Sequence, residues 1–169
     1  MTAGLTDIRE VVGQVPDPEI PVLSIADLGI LRDVRVGAGG RIEVTITPTY
    51  FGCPAMDTIS RDIAAACARH GWHDVQVRTV LSPAWTTDWM TDEGRRKLAE
   101  FGIAPPARCG LTAGSGQPGA GPVPVALSVR CPRCGSPDTR ETSRFGSTAC
   151  KALYACNSCR EPFDYFKAL

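Results

Sequence analysis

The chain of 169 residues is long enough for one domain core and a small accessory module, and too short for two large cores. Its 18 basic and 18 acidic side chains cancel, which excludes a strong overall field for nucleic acid or an anionic membrane. Apolar residues make up 43% of the chain but form no run near the ~20 residues of a membrane span, and the first 15 residues lack a secretory signal pattern, which predicts a cytoplasmic location.

The first hundred residues show the periodicities of short helices and strands. Apolar residues recur at helical spacing in two segments, alternate with polar residues in three others, and Thr91 can cap a last helix. The predicted elements are a helix at 5–15, strands at 30–36 and 41–48, a helix at 56–70, a strand at 75–81 and a helix from 92. This order predicts an α+β fold for residues 1–104, a small α/β sandwich with a short mixed sheet.

A stretch of Gly, Pro, Ala and Ser follows at 105–126. Such a composition cannot bury enough apolar surface to offset its ordering entropy, so we expect a linker there. It separates the predicted domain at 1–104 from a second at 127–169. Cys109 lies in this stretch and is interpreted as a bystander.

Cys53 stands where an apolar strand stops and an apolar helix begins, in TPTYFGCPAMDTI. Pro54 suits a first helical position, which predicts Cys53 as the N-cap. Free amide donors and the helix dipole would then favour the reactive thiolate. The alternative is a small buried cap, because unpaired cysteine is among the most buried residue types. Cys67 lies on the apolar face of the helix and is predicted to be core.

The proline-rich loop at 16–30 sets three acids, Asp17, Glu19 and Asp27, in a segment that cannot be regular helix or strand. Such a loop can place carboxylates at strand ends. The alternative, which the residues alone favour, is turn chemistry in which aspartate caps its own backbone.

Two C-x2-C pairs lie 21 residues apart in the second domain. Four thiolates at this spacing predict a tetrahedral metal site in a ribbon too small to fold without it, at Cys131, Cys134, Cys156 and Cys159. Zinc suits such a closed site better than iron, and a thioredoxin-like redox pair is disfavoured because neither motif follows a strand in a βαβ pattern. Cys150 could replace one of the second pair, although we favour the two tight pairs.

These residues resemble a known family. The runs DPEIPVLSIADLGIL and LSPAWTTDWMTDEGRRKLAEFGI, with CP at 53 and 54, are similar to the small iron-sulfur assembly domain of SufT-like proteins and cytosolic iron-sulfur targeting factors. The carboxy-terminal run FGSTACKALYACNSCREPFDYFK extends the resemblance to PaaD-type (PaaJ) subunits of bacterial phenylacetyl-CoA epoxidase systems. Arg160 departs from the pattern, because the first knuckle has Gly135 at the equivalent place.

The resemblance implies an accessory protein that helps to mature, or supply iron-sulfur chemistry to, a multicomponent oxygenase of phenylacetate catabolism. It implies Cys53 as the exchange ligand for a transient cluster, Asp17 and Glu19 as secondary candidates, and the oxygenase and reductase subunits as partners. A homodimer is also allowed. We do not expect catalysis by the chain alone, because its two histidines, His70 and His73, are better placed to cap a helix end than to bind metal.

Two other functions remain open from the residues. The ribbon could be a protein-binding or nucleic-acid-binding module without cluster chemistry, since residues 127–169 hold 7 basic and 4 acidic side chains. No basic stripe alternates with aromatics there, so nucleic acid is disfavoured. An autonomous thiol enzyme would need a base beside Cys53, and neither histidine can be placed there from the sequence.

Overall fold

The structure, a computed structural model, describes residues 4–106 and 128–167. The described residues divide into two compact units, the first ending at Lys97 and the second beginning at Leu98. No helix in the described ranges is both long enough and apolar enough to cross a lipid bilayer.

The first unit contains the predicted sequence of helices and strands. Its elements are α1 (Leu5–Gly13), β1 (Leu31–Val36), β2 (Ile42–Ile46), α2 (Ala55–Arg69), β3 (Val75–Thr79) and the first part of α3 (Asp92–Phe101). The predicted α+β class is confirmed. The boundaries fall within a few residues of the predicted ones, because the apolar periodicity and the flanking Gly and Pro residues define each element locally.

The three strands form one mixed sheet in the order β1-β2-β3. Strand β2 pairs antiparallel with β1 as a hairpin and parallel with β3. Alternate residues of β2, namely Ile42, Val44 and Ile46, are buried. Helices α1 and α2 contact β1 and β3 respectively, so this buried row forms the centre of the core. Glu43 and Thr45, which alternate with these buried residues along β2, lie on the opposite face of the sheet.

Glycine and threonine define the ends of the later helices. Thr91 caps α3 as predicted, since its Oγ1 accepts a hydrogen bond of 2.9 Å from the backbone N–H of Gly94. Gly71, just beyond α2, has a φ of 81°, a left-handed conformation that stops the helix at little steric cost. Buried Cys67 lies in the core, where the periodicity placed it.

The second unit is a four-stranded sheet in the order β4-β7-β6-β5. Its strands are β4 (Ile103–Ala104), β5 (Thr139–Ser143), β6 (Lys151–Cys156) and β7 (Pro162–Phe166). Strand β4 pairs parallel with β7, although its two residues fall at the end of the predicted first domain, 1–104. Of the predicted linker at 105–126 only residues 105 and 106 are described, and Cys109 lies outside the described residues.

Candidate functional site

Cys53 lies in the loop between β2 and α2. Helix α2 begins at Ala55, so Pro54 occupies the N-cap position and the prediction that Cys53 is the N-cap is wrong by one residue. The sulfur is nevertheless at the amino end of the helix, because the backbone N–H of Ala55 donates a hydrogen bond to it. Gly52, with a φ of 80°, adopts the left-handed conformation that lets the chain turn before the cysteine.

The thiol of Cys53 is half-buried, and its surroundings favour the protonated form over the thiolate. Burial raises the pKa of Cys53 above its ordinary value of 9.0. Hydrogen bonds from the Ala55 N–H and the Tyr50 side chain lower the pKa, and the charges of Glu19 and Asp17 raise it again. The net direction is upward, which corrects the expectation that the helix terminus would hold the sulfur ionised.

The acidic loop lies near this cysteine. The carboxylates of Asp17 and Glu19 are close enough for their charges to act on the sulfur. Asp17 is only 6% exposed, and its Oδ1 accepts two hydrogen bonds of 2.8 Å, from the backbone N–H groups of Glu19 and Ile20. The turn chemistry favoured from the residues alone therefore holds for one oxygen of Asp17, and this turn fixes both acids beside Cys53.

Asp27, the third acid of the loop, has a different place. Its Oδ2 accepts hydrogen bonds from Lys97 Nζ at 2.7 Å and from the backbone N–H of Ser24 at 3.0 Å. Asp27 thus holds the loop in shape through its contacts with Lys97 and Ser24.

Two aromatic residues beside Cys53 were missed by the sequence analysis. Tyr50 donates its side-chain hydrogen bond to the sulfur, and Phe51 is 87% exposed. Both line a cleft of about 330 Å³ that Leu81 and Trp85 also border. The run YFGC shows in the sequence that an aromatic ring lies two residues from a cysteine. Only the structure shows that this ring is exposed and does not belong to the core.

The four cysteines of the ribbon converge on one point. Their Sγ atoms all lie within 4.8 Å of one another, with Cys131 3.7 Å from Cys159 and Cys134 3.6 Å from Cys156. Zinc–sulfur bonds of about 2.3 Å in a tetrahedron place sulfurs about 3.8 Å apart, so the residues fit a zinc ion. Among the described residues they are also the one group of three or more His, Cys, Asp or Glu residues with this spacing.

The two C-x2-C turns have the same backbone geometry. In the first, the N–H of Gly135 donates to the carbonyl of Cys131 at 2.9 Å. In the second, the N–H of Arg160 donates to the carbonyl of Cys156 at 3.0 Å. Gly135 has a φ of 73° and Arg160 a φ of 65°, so the arginine adopts the left-handed conformation that glycine takes more easily.

The thiols of the ribbon perturb one another strongly. The backbone N–H of Cys159 and neighbouring donors lower the pKa of Cys156 to about 6. The backbone N–H of Glu161 also favours the thiolate of Cys159, but burial and the three other thiols raise the pKa of Cys159 to about 12. A divalent cation among them removes this conflict because it stabilises all four thiolates together.

The remaining cysteine and histidine candidates lie elsewhere. Cys150 is buried outside the four-thiol group, and its Sγ is 3.0 Å from Thr148 Oγ1. His70 is the C-cap residue of α2, and its ring stacks on Trp72 with centroids 5.1 Å apart. This placement agrees with the interpretation of His70 as a helix-end residue.

The fold and the two cysteine sites define a two-part class of protein, an iron-sulfur assembly-type domain followed by a zinc ribbon. Residues 5–79 match the model of the iron-sulfur cluster assembly protein family, and residues 116–167 match that of the PaaD zinc beta ribbon domain. The crystal structure of a DUF59 domain of unknown function from Bacillus anthracis is similar in fold, with a TM-score of 0.52 and 24% identity over 56% of this chain and 90% of that one.

Two relatives extend this similarity to sequence. An Fe-S protein maturation auxiliary factor of Porphyromonas gingivalis is 38% identical over 54% of this chain and 88% of its own length. A protein of Escherichia coli, provisionally named as the D component of 1,2-phenylacetyl-CoA epoxidase, is 50% identical over 96% of this chain and 92% of its own length. The chain belongs to the PaaD family that this epoxidase component represents.

Proposed function

We propose that the protein is an accessory subunit of a phenylacetyl-CoA epoxidase system in phenylacetate catabolism, where it assists the assembly or transfer of an iron-sulfur cluster. The identity of 50% along nearly the whole chain to the Escherichia coli epoxidase component supports the first part. The match of residues 5–79 to cluster assembly proteins and the similarity to a maturation factor support the second.

The observation that carries the proposal is the placement of the Cys53 thiol beside Asp17 and Glu19 at the start of α2. A half-buried thiol next to two carboxylates stays protonated, and therefore unreactive, until a cation binds near it. An iron centre then changes the balance, because its positive charge offsets the carboxylates and stabilises the thiolate. A thiolate that forms only when iron is present suits a residue that binds a cluster transiently.

The exchange requires no oxidant or reductant. As the iron of a donated cluster approaches, the Cys53 thiol loses its proton to solvent and its sulfur replaces one ligand of the donor. On release, a thiolate of the recipient takes that position on iron, and Cys53 recovers a proton. Asp17 and Glu19 attract the iron centre, and Tyr50 donates a hydrogen bond to the ionised sulfur during the exchange.

The ribbon has a structural role in this scheme. Zinc would be held in a closed four-thiolate site that has no open position for a substrate. Its ligands would be Cys131, Cys134, Cys156 and Cys159. The partners are the oxygenase and reductase subunits of the epoxidase, and the site of action is the cytoplasm. A second copy of the chain could supply a further Cys53 to a shared cluster.

The test is anaerobic reconstitution of the zinc-loaded full chain with iron and sulfide, followed by transfer to the purified epoxidase subunits. Cys53→Ser should keep its zinc and fold but lose cluster binding and transfer, whereas Cys109→Ser, a matched cysteine change outside the proposed exchange site, should behave as wild type. Normal transfer by Cys53→Ser would refute the exchange role of Cys53, whereas a wild-type chain that binds and transfers no cluster would be a zinc-ribbon binding module without cluster chemistry.

A further inference from the structure

We propose that the open face of the three-stranded sheet carries a binding site for a phosphate group, formed by Arg32, Arg78 and Thr47. These residues line a cleft of about 360 Å³ in the first unit. The site does not depend on Cys53 or on the proposed function.

Thr47 supplies the first argument. Its backbone N–H is bonded to the carbonyl of Ile30 at 2.9 Å, and the residue is only 1% exposed, but its Oγ1 has no hydrogen-bond partner among the described residues. Thr47 follows β2 directly, and the two-residue period of the strand places it on the same face as Thr45, which also lines the cleft. A buried hydroxyl without a partner is unfavourable, and an oxyanion in the cleft would accept a hydrogen bond from it.

The arginines supply the second argument. Arg78 projects from β3, where Thr45 is its neighbour in the register, and it has no ion pair or hydrogen bond within the described residues. The guanidinium of Arg32 lies 3.4 Å from the centroid of the Trp89 ring. Stacking of this kind fixes the plane of the guanidinium and leaves the N–H donors on its edge available for an anion.

The charges of the cleft are unevenly distributed. Asp33 is neutralised by Arg35, whose Nε lies 2.5 Å from its Oδ2. Glu43 is four residues from Thr47 along β2, about 13 Å away in an extended strand. The lining of the cleft keeps a net positive charge, from Arg32, Arg35 and Arg78 against Asp33 and Glu43, and Glu43 lies at the end away from Thr47. Guanidinium and hydroxyl donors around a net positive charge are the set that binds phosphate.

Thr47 also borders the apolar cleft lined by Phe51 and Trp85, so the two clefts adjoin at this residue. A phosphate carried by an organic molecule could place its apolar part there. The shared chemistry is the phosphate group, and inorganic and organic sources can be distinguished by experiment.

The test is isothermal titration of the zinc-loaded full chain with pyrophosphate and, separately, with adenosine diphosphate at low salt. Arg78→Gln should weaken binding at least about tenfold, since a charge-assisted hydrogen bond is lost. Thr47→Val should weaken binding several-fold while the melting temperature holds or rises, because the variant removes an unpaired buried hydroxyl. Arg61→Gln, a matched change on α2, should bind as wild type.

Tighter binding of adenosine diphosphate would assign the site to an organic phosphate, and equal binding to the phosphate group alone. The proposal is overturned if neither compound binds at millimolar concentration, or if Arg78→Gln and Thr47→Val both bind as tightly as wild type. Arg78 is exposed, so Arg78→Gln keeps its fold and the outcome remains interpretable even if Thr47→Val does not.

Discussion

Asp27 and Lys97, 70 positions apart in the sequence, form an ion pair of 2.7 Å between Asp27 Oδ2 and Lys97 Nζ. The Asp27 carbonyl also accepts a hydrogen bond of 2.9 Å from the N–H of Thr91, the cap of α3. Gly94 allows this approach, since a Cβ there would lie 2.7 Å from the same carbonyl oxygen. The acidic loop and the start of α3 are therefore joined through one aspartate.

The Asp27 pair makes the stability of the first unit depend on pH. Burial raises the pKa of Asp27, but the hydrogen bonds from Lys97 and Ser24 together lower it by more. The pKa of Asp27 therefore lies below its ordinary value of 3.8. A carboxylate with a lowered folded-state pKa stabilises the fold fully above its unfolded-state pKa, and this contribution is lost as the pH falls from there through the folded-state value. Asp27→Asn should cost about 1–3 kcal/mol at pH 7 and flatten the fall in stability below about pH 4.

Urea unfolding between pH 3 and 7, followed by tryptophan fluorescence, measures this effect. All three tryptophans, Trp72, Trp85 and Trp89, lie in the first unit, so the signal excludes the ribbon. Asp33→Asn serves as the control, because its exposed pair with Arg35 should contribute at most about 1 kcal/mol. If Asp27→Asn lost stability below about pH 4 as steeply as wild type, Asp27 would not be the group responsible for that loss.

The reactivity of Cys53 should follow its raised pKa. Because only the thiolate reacts, alkylation by iodoacetamide at pH 8 should be slower than for the same cysteine in the unfolded chain, and should rise as the pH passes 9. Glu19→Gln removes a charge that raises the pKa and should speed the reaction, whereas Tyr50→Phe removes a hydrogen bond that lowers it and should slow the reaction.

Peptide-level mass spectrometry of the zinc-loaded protein would separate Cys53 from the other cysteines. The opposite directions of the two variants control for a general loosening of the loop, which would speed alkylation in both. Equal rates in wild type and both variants would show that neither neighbour acts on the sulfur.

Metal removal should affect the two units differently. Cys131→Ser should lose the zinc and unfold the ribbon, because binding supplies about 10–16 kcal/mol to such small sites. Tryptophan fluorescence should remain native. Cys150→Ser, a change at a buried cysteine outside the four-thiol group, should keep one zinc per chain by elemental analysis. Retention of zinc by Cys131→Ser would contradict the ligand assignment.

The two knuckles predict a pair of substitutions with opposite effects. Arg160→Gly should relieve the left-handed strain of a side chain at φ 65° and gain about 0.5–1 kcal/mol after the greater entropy of glycine in the unfolded chain is counted. Gly135→Ala should cost about 1 kcal/mol through the same strain, since nothing lies within 4 Å of its added Cβ.

Chelator titration with a readout of zinc release orders the three proteins by stability. The expected order is Arg160→Gly, wild type, then Gly135→Ala. If Arg160→Gly released zinc more easily than wild type, the arginine side chain would contribute more than its backbone conformation costs.

Local patterns in the sequence were sufficient for much of the architecture. The hairpin around GAGG, the extent of α2 and the Thr91 cap follow from periodicity and from turn and cap chemistry, which act over a few residues. The approach of the four ribbon cysteines likewise follows from their spacing, because one ion requires them together.

Tertiary structure decided the properties that depend on distant parts of the chain. The pairing of β4 with β7 joins residues on opposite sides of the predicted linker, and no local pattern in Ile103 or Ala104 encodes that partner. The protonation of Cys53 was predicted with the wrong sign, because a helix terminus is visible in the sequence whereas burial and the charges of Asp17 and Glu19 are not. Spacing along the chain fixes which groups can share a turn or a metal ion, but a pKa depends on every charge and on the solvent around the atom, and only the folded chain determines those.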